Sequence, residues 1–102
     1  MLTDIEGILK KLEIKERGYY DDSFYVIQLK DSDDYARMYS HLDKVAINTE
    51  NPSIGKNTSN NTVKITNYFE FEFENVLHDI FLIADFNEDT YILKIGEKKE
   101  EN

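Results

Sequence analysis

Cysteine and tryptophan are missing from the 102 residues, proline occurs once and glycine four times. Without cysteine the chain has no disulfide, no thiolate metal ligand and no cysteine nucleophile, a composition expected of a reducing compartment. Positive charge is also scarce: 12 Lys and Arg stand against 21 Asp and Glu, a net charge of -9. Such a chain repels nucleic acid and anionic membrane and is attracted to basic surfaces. No apolar run approaches the roughly 20 residues that a membrane-spanning helix needs. The first residues, MLTDIEGILKK, place acids where a secretory signal requires an uncharged apolar core. The expectation is a cytoplasmic protein that binds neither nucleic acid nor membrane directly.

What the chain does have is aromatic bulk, seven Tyr and six Phe. Each aromatic buries a large area, so a few of them hold a small core. The length suits one domain with a real core and no second one. The longest periodic stretch, TVKITNYFEFEFEN over 62–75, alternates with a period of two. Val63, Ile65, Phe69, Phe71 and Phe73 fall on one side; Lys64, Thr66, Tyr68, Glu70, Glu72 and Glu74 fall on the other. In an extended strand this describes a sheet with one dry face and one wet face. Glutamates two positions apart lie about 6.7 Å from one another along such a strand. Their mutual repulsion does nothing for stability.

Taken in order, Thr3-Asp4-Ile5-Glu6 fits a capping box, and Ile5, Ile8, Leu9 and Leu12 make a single apolar stripe. A helix is expected over 4–17, closed by Gly18. Residues 23–30, SFYVIQLK, read as a strand with apolar residues on both faces. Asp31, Asp33 and Asp34 then sit at a helix start, where acids complement the dipole. Tyr35, Met38, Tyr39, Leu42 and Val45 continue a second amphipathic helix over 33–46. Residues 48–61, NTENPSIGKNTSNN, hold the only proline and read as a long polar loop. The run IFLIADF over 80–86 suits a central strand or a buried helix, since Val76, Leu77, Ile80, Phe81 and Ala84 also fit a helical face; the strand is preferred because Asn87-Glu88-Asp89 would turn it into a partner over 90–95. Gly96 closes that strand, and 97–102 is expected to fray. The fold class is therefore α+β: about four mostly antiparallel strands with two helices on one face, in the order α-β-α-long loop-β-β-β. One domain spans 1–96.

The acids at 31–34 do not make a calcium loop, which needs glycine at its sixth place and glutamate at its twelfth, where Ala36 and Leu42 stand. Gly55-Lys56 does not end a phosphate-binding loop, because the first glycine would fall at Glu50 and the following residue is Asn57. Asn57-Thr58-Ser59 and Asn60-Asn61-Thr62 match the glycosylation pattern but follow no secretion signal. His41 is expected on the surface of the second helix and His78 in a turn beside Asp79; two histidines without a third ligand make no metal site. Glu70 and Glu72 share a strand face, and no glycosidase-sized cleft is expected in a domain this short. No catalytic residue, metal or cofactor is assigned, and the protein is not expected to be an enzyme.

The expected function is protein binding. Carboxylates on a rigid sheet with tyrosines between them suit a basic groove that normally holds nucleic acid, the device by which phages and other mobile elements inhibit host nucleases. The binding residues expected are Glu70, Glu72, Glu74, Tyr68 and Asp85, with Asp31, Asp33 and Asp34. The alternative is an assembly subunit or antitoxin-like partner, homodimeric or not, that associates through an apolar sheet face or an edge strand such as 90–95.

Overall fold

The period-two stretch is a strand, and the longest in the sheet. The computed structural model describes residues 4–57, 59 and 62–98. In chain order they form α1 (Ile5–Lys11), β1 (Tyr19–Asp21), β2 (Phe24–Gln28), α2 (Ser32–Val45), β3 (Asn48–Thr49), β4 (Ser53–Asn57), β5 (Thr62–Phe73), β6 (Val76–Asp85) and β7 (Thr90–Glu97). The strands make one antiparallel sheet in the order β1-β2-β7-β6-β5-β3, and β4 also pairs with β5.

Seven strands replace the four expected. Three of them lie where no strand was expected: β1 falls between the expected helix and the strand over 23–30, and β3 and β4 occupy half of 48–61. Both pair with β5, at Phe69 to Glu70 and at Thr62 to Thr66 respectively. Edge strands of this kind need only backbone partners, so their sequences carry little alternation. The strand over 90–95 is not an edge: β7 lies between β2 and β6. It also runs through Gly96 to Glu97, and the Lys98 N–H donates to the Leu77 carbonyl, so the first two residues of the expected tail belong to the sheet. The rest of that tail, and the Thr3 of the capping box, lie outside the described residues.

Both helices cover the same face. Tyr39 of α2 packs edge-on against Phe69 at 5.6 Å, and Lys11 of α1 lies over the Phe73 ring. The core between the layers contains Ile8, Leu9 and Leu12 of the α1 segment, Leu42 of α2, and Ile27, Phe69, Phe71, Ile80, Leu82, Leu93 and Ile95 of the sheet. These are the inward positions of alternating strands, as the pairing of Phe69 with Ile80 and of Ile80 with Ile95 shows. Asn67 interrupts the apolar side of β5. It is buried, and its amide donates to the Tyr35 hydroxyl at 2.7 Å and to the Leu82 carbonyl at 3.2 Å. Asn67→Ala leaves both acceptors without that donor and is expected to lower the unfolding free energy by about 1–2 kcal/mol in urea melts.

Both helix starts and the end of α2 lie within one residue of the expectation, whereas α1 ends early. Asp4 caps α1 by accepting from the Gly7 N–H, and Asp31 caps α2 by accepting from the Asp34 N–H. The first helix stops at Lys11 rather than near Arg17 because Glu13 adopts a left-handed φ of 57°. The Ile14 N–H then reaches the Leu9 carbonyl and the Glu13 N–H the Lys10 carbonyl, a Schellman closure with glutamate where glycine is usual. Gly18 therefore does not end the helix.

Glu74 and Asn75 turn the chain between β5 and β6 with φ of 51° and 67°. Two consecutive positive φ values make the two-residue hairpin turn that matches strand twist. Glu74 accordingly leaves the row of strand glutamates. Because a left-handed backbone strains a side chain with Cβ, Glu74→Gly is expected to raise stability by about 1 kcal/mol, read as a higher urea midpoint.

Candidate binding site on the open sheet face

The face of the sheet opposite the helices carries no covering element among the described residues. Cross-strand register places Phe24, Val26 and Gln28 of β2 on it, then Ile92 and Lys94 of β7, Asp79, Phe81 and Ile83 of β6, and Thr66, Tyr68, Glu70 and Glu72 of β5. A period-two strand would normally show water a polar face here. Instead three aromatic rings cross it. Phe24 and Phe81 meet edge-on with centroids 5.9 Å apart, and Phe81 meets Tyr68 at 5.3 Å.

That row depends on an absent side chain. Phe24 on β2 and Phe81 on β6 are separated by β7, and the β7 residue opposite Phe24 is Gly96. A Cβ there would lie 2.6 Å from the Phe24 ring. Glycine lets the phenylalanine lie across the strand and reach the next one.

At its β5 end the row becomes polar. The Tyr68 hydroxyl donates to Asp79 Oδ1 at 2.5 Å. Burial raises the Tyr68 pKa first, followed by this hydrogen bond and the negative charges of Asp79, Glu70 and Glu50. The phenol stays protonated above its ordinary pKa of about 10. The same raised pKa means that the stabilisation is complete below about pH 10 and is lost as pH climbs towards the folded value. In an alkaline ultraviolet titration of tyrosinate, the fraction that resists ionisation is expected to shrink in Tyr68→Phe. Tyr91, buried on the helix side, has a pKa raised mainly by burial and keeps part of that fraction in the variant.

Glu70 sits opposite Asp79 and forms an ion pair with Lys98. That contact raises the Lys98 pKa against the opposing effect of burial, with further help from Asp79 and Glu50. Neither Lys64 nor Lys94 takes this role. Lys64 stands opposite Asp85, and Lys94 stands between Val26 and Phe81.

The rings, Asp79 and Thr66 underlie a groove of ≈ 1400 Å³, bordered by Glu50 and Asn51 after β3 and by Val76, Leu77, Glu97 and Lys98 at the far strand ends. Its charged lining is three carboxylates and one amino group, and that amino group is the one already held by Glu70. A smaller cavity of ≈ 410 Å³ lies on the helix side, lined by Leu12, Glu13, Arg37 and His41 among others.

The residues expected to bind a partner divide among several places. Tyr68 is half-buried in the groove, Glu72 is exposed on the same face, and Glu70 is buried beneath Lys98. Asp85 is buried and accepts from the Glu88 N–H in the β6–β7 turn. Glu74 is in the hairpin turn. Asp31, Asp33 and Asp34 open α2, on the helix-covered side of the sheet, where Asp34 pairs with Arg37. The acids are not one continuous array. His78 is in β6 rather than a turn, buried with Nδ1 unpartnered among the described residues. His41 is half-buried 3.7 Å from the Glu13 carboxylate.

Sequence reasoning missed Phe24, Phe81, Asp79, Glu50, Gly96 and Lys98. One signal for two of them was available: in VLHDIFLIAD the alternation begins at Val76, which puts Asp79 and Phe81 on the face of Tyr68. Among the described residues no cluster of three or more His, Asp or Glu suits a metal ion, and no helix is long and apolar enough to cross a membrane. No protein-family model, curated protein or solved structure matches the chain.

Proposed function

We propose that this chain is a protein-binding module whose open sheet face receives a basic partner. One observation carries the reading: an uncovered aromatic row is bordered by Asp79, Glu50 and Glu97 against a single, already paired lysine. Aromatics supply area at low entropic cost, and the carboxylates supply charge complementarity and steering. With a net charge of -9 the whole molecule attracts cationic surfaces over the same range. A basic groove that otherwise holds nucleic acid is a partner of this kind, and occupying it would inhibit a nuclease.

Affinity capture at low and high salt, with duplex DNA as competitor, tests the reading. The expected partner is basic, is released by salt and by DNA, and is lost to Glu50→Lys. A partner retained at high salt and indifferent to Glu50→Lys removes the reading.

A second reading has its own observation. The edge strand β1 exposes Tyr19 and Tyr20, and among the described residues β1 has a neighbour on one side only. A homodimer joined through that edge would sediment as a dimer regardless of salt.

A further inference from the structure

We propose that the corner between Phe81, Tyr68 and Asp79 is the anchor subsite for an arginine side chain of the basic partner. The inference rests on the reading of the open face given above and names the chemistry of its deepest contact.

Each class of occupant meets the groove differently. An anion would face Asp79, Glu50 and Glu97 with only Lys98 in return, and Lys98 is held by Glu70. A purely apolar group would cover the rings but would desolvate carboxylates without pairing them, which is costly. A cation with a flat, weakly hydrated face satisfies both. Guanidinium stacks on aromatic rings and donates from its edge to carboxylates, whereas a lysine ammonium is compact and strongly hydrated.

The subsite is also prepared in advance. Asp79 Oδ1 accepts from the Tyr68 hydroxyl, which fixes the carboxylate at the edge of the rings. Tyr68 and Phe81 are held against each other at 51°. Glu50 lies near enough to act electrostatically on both Tyr68 and Lys98. Holding these groups in place before binding reduces the ordering cost of the complex.

The test uses N-acetylarginine N-methylamide and its lysine counterpart as probes, added to the whole protein at constant ionic strength. Ring-proton NMR signals of Tyr68 and Phe81 are the readout. The expected result is a saturable shift with the arginine probe, weaker binding of the lysine probe, and about tenfold loss of affinity in Asp79→Asn. If Asp79→Asn fails to fold, Glu50→Gln, on an exposed segment, is expected to weaken the arginine probe in the same direction. Absence of a saturable ring shift, equal binding of both probes, or an unchanged affinity in the folded variant overturns the proposal. A salt-sensitive basic partner that binds while the arginine probe does not would overturn the subsite and leave the face reading standing. The converse result would do the opposite.

Discussion

Alanine at position 18 is expected to lower the unfolding free energy by about 3 kcal/mol, measured by urea or thermal melts. A Cβ on Gly18 would stand 1.9 Å from the Val26 carbonyl oxygen and 2.7 Å from its carbon, both backbone atoms of β2. A side chain can swing aside; a paired strand cannot. The residue that follows, Tyr19, is in register with Val26, and the Gly18 N–H donates to the Tyr25 hydroxyl at 2.9 Å. Relief of the clash must therefore move β1 away from β2 or break that contact. The cause is close approach and not backbone conformation, because no glycine in the described chain has a positive φ. A loss below about 0.5 kcal/mol would mean that β1 separates from β2 without cost, contrary to this account.

Gly96→Val is expected to cost about 2 kcal/mol and to remove the mutual ring-current shifts of Phe24 and Phe81. Here the obstructed atoms are Cε1 and Cδ1 of Phe24, at 2.6 and 2.7 Å, so the ring and not the backbone gives way. Its displacement ends the 5.9 Å contact with Phe81 and opens the row at its β2 end. Gly96→Ala should show the same spectral change with a smaller loss of stability. The Tyr68–Asp79 hydrogen bond at the other end is expected to persist, since β5 and β6 pair independently of Phe24. Retention of the Phe24 ring shifts in the valine variant would show that the glycine does not shape the row.

These two glycines show where sequence stops being legible. Gly18 reads as a helix terminator because terminators are local, yet the helix ends seven residues earlier through Glu13, whose left-handed backbone no composition rule announces. Gly96 reads as the close of a strand, but its role is set by Phe24, more than seventy positions away. What was legible was periodic. Residues 62–73 alternate as expected, Ile5, Ile8, Leu9 and Leu12 turn one stripe to the core, and β6 and β7 form the expected hairpin. The short strands β3 and β4 were hidden because Asn48, Thr49 and Ser53 are held by backbone pairing with β5 rather than by buried side chains. For the candidate site, the period placed Tyr68, Glu70 and Glu72 on the face opposite the core. It did not reveal that Lys98 covers Glu70, which requires β7 to run further than its apolar residues do.

The pairing of β2 with β7 has a consequence for synthesis. As the chain leaves the ribosome, α1, β1 and β2 emerge early, while the strand that must lie beside β2 comes out after every other described strand. The hairpins β5–β6 and β6–β7 join residues close in sequence and can assemble as they appear. The β1–β2 hairpin also forms locally, but the other edge of β2 stays unpaired, and Tyr25, Val26 and Ile27 lack their β7 neighbours until translation reaches Ile95. Ribosome-bound chains halted before that point should therefore hold β2 accessible to protease, and the domain closes from its C-terminal end.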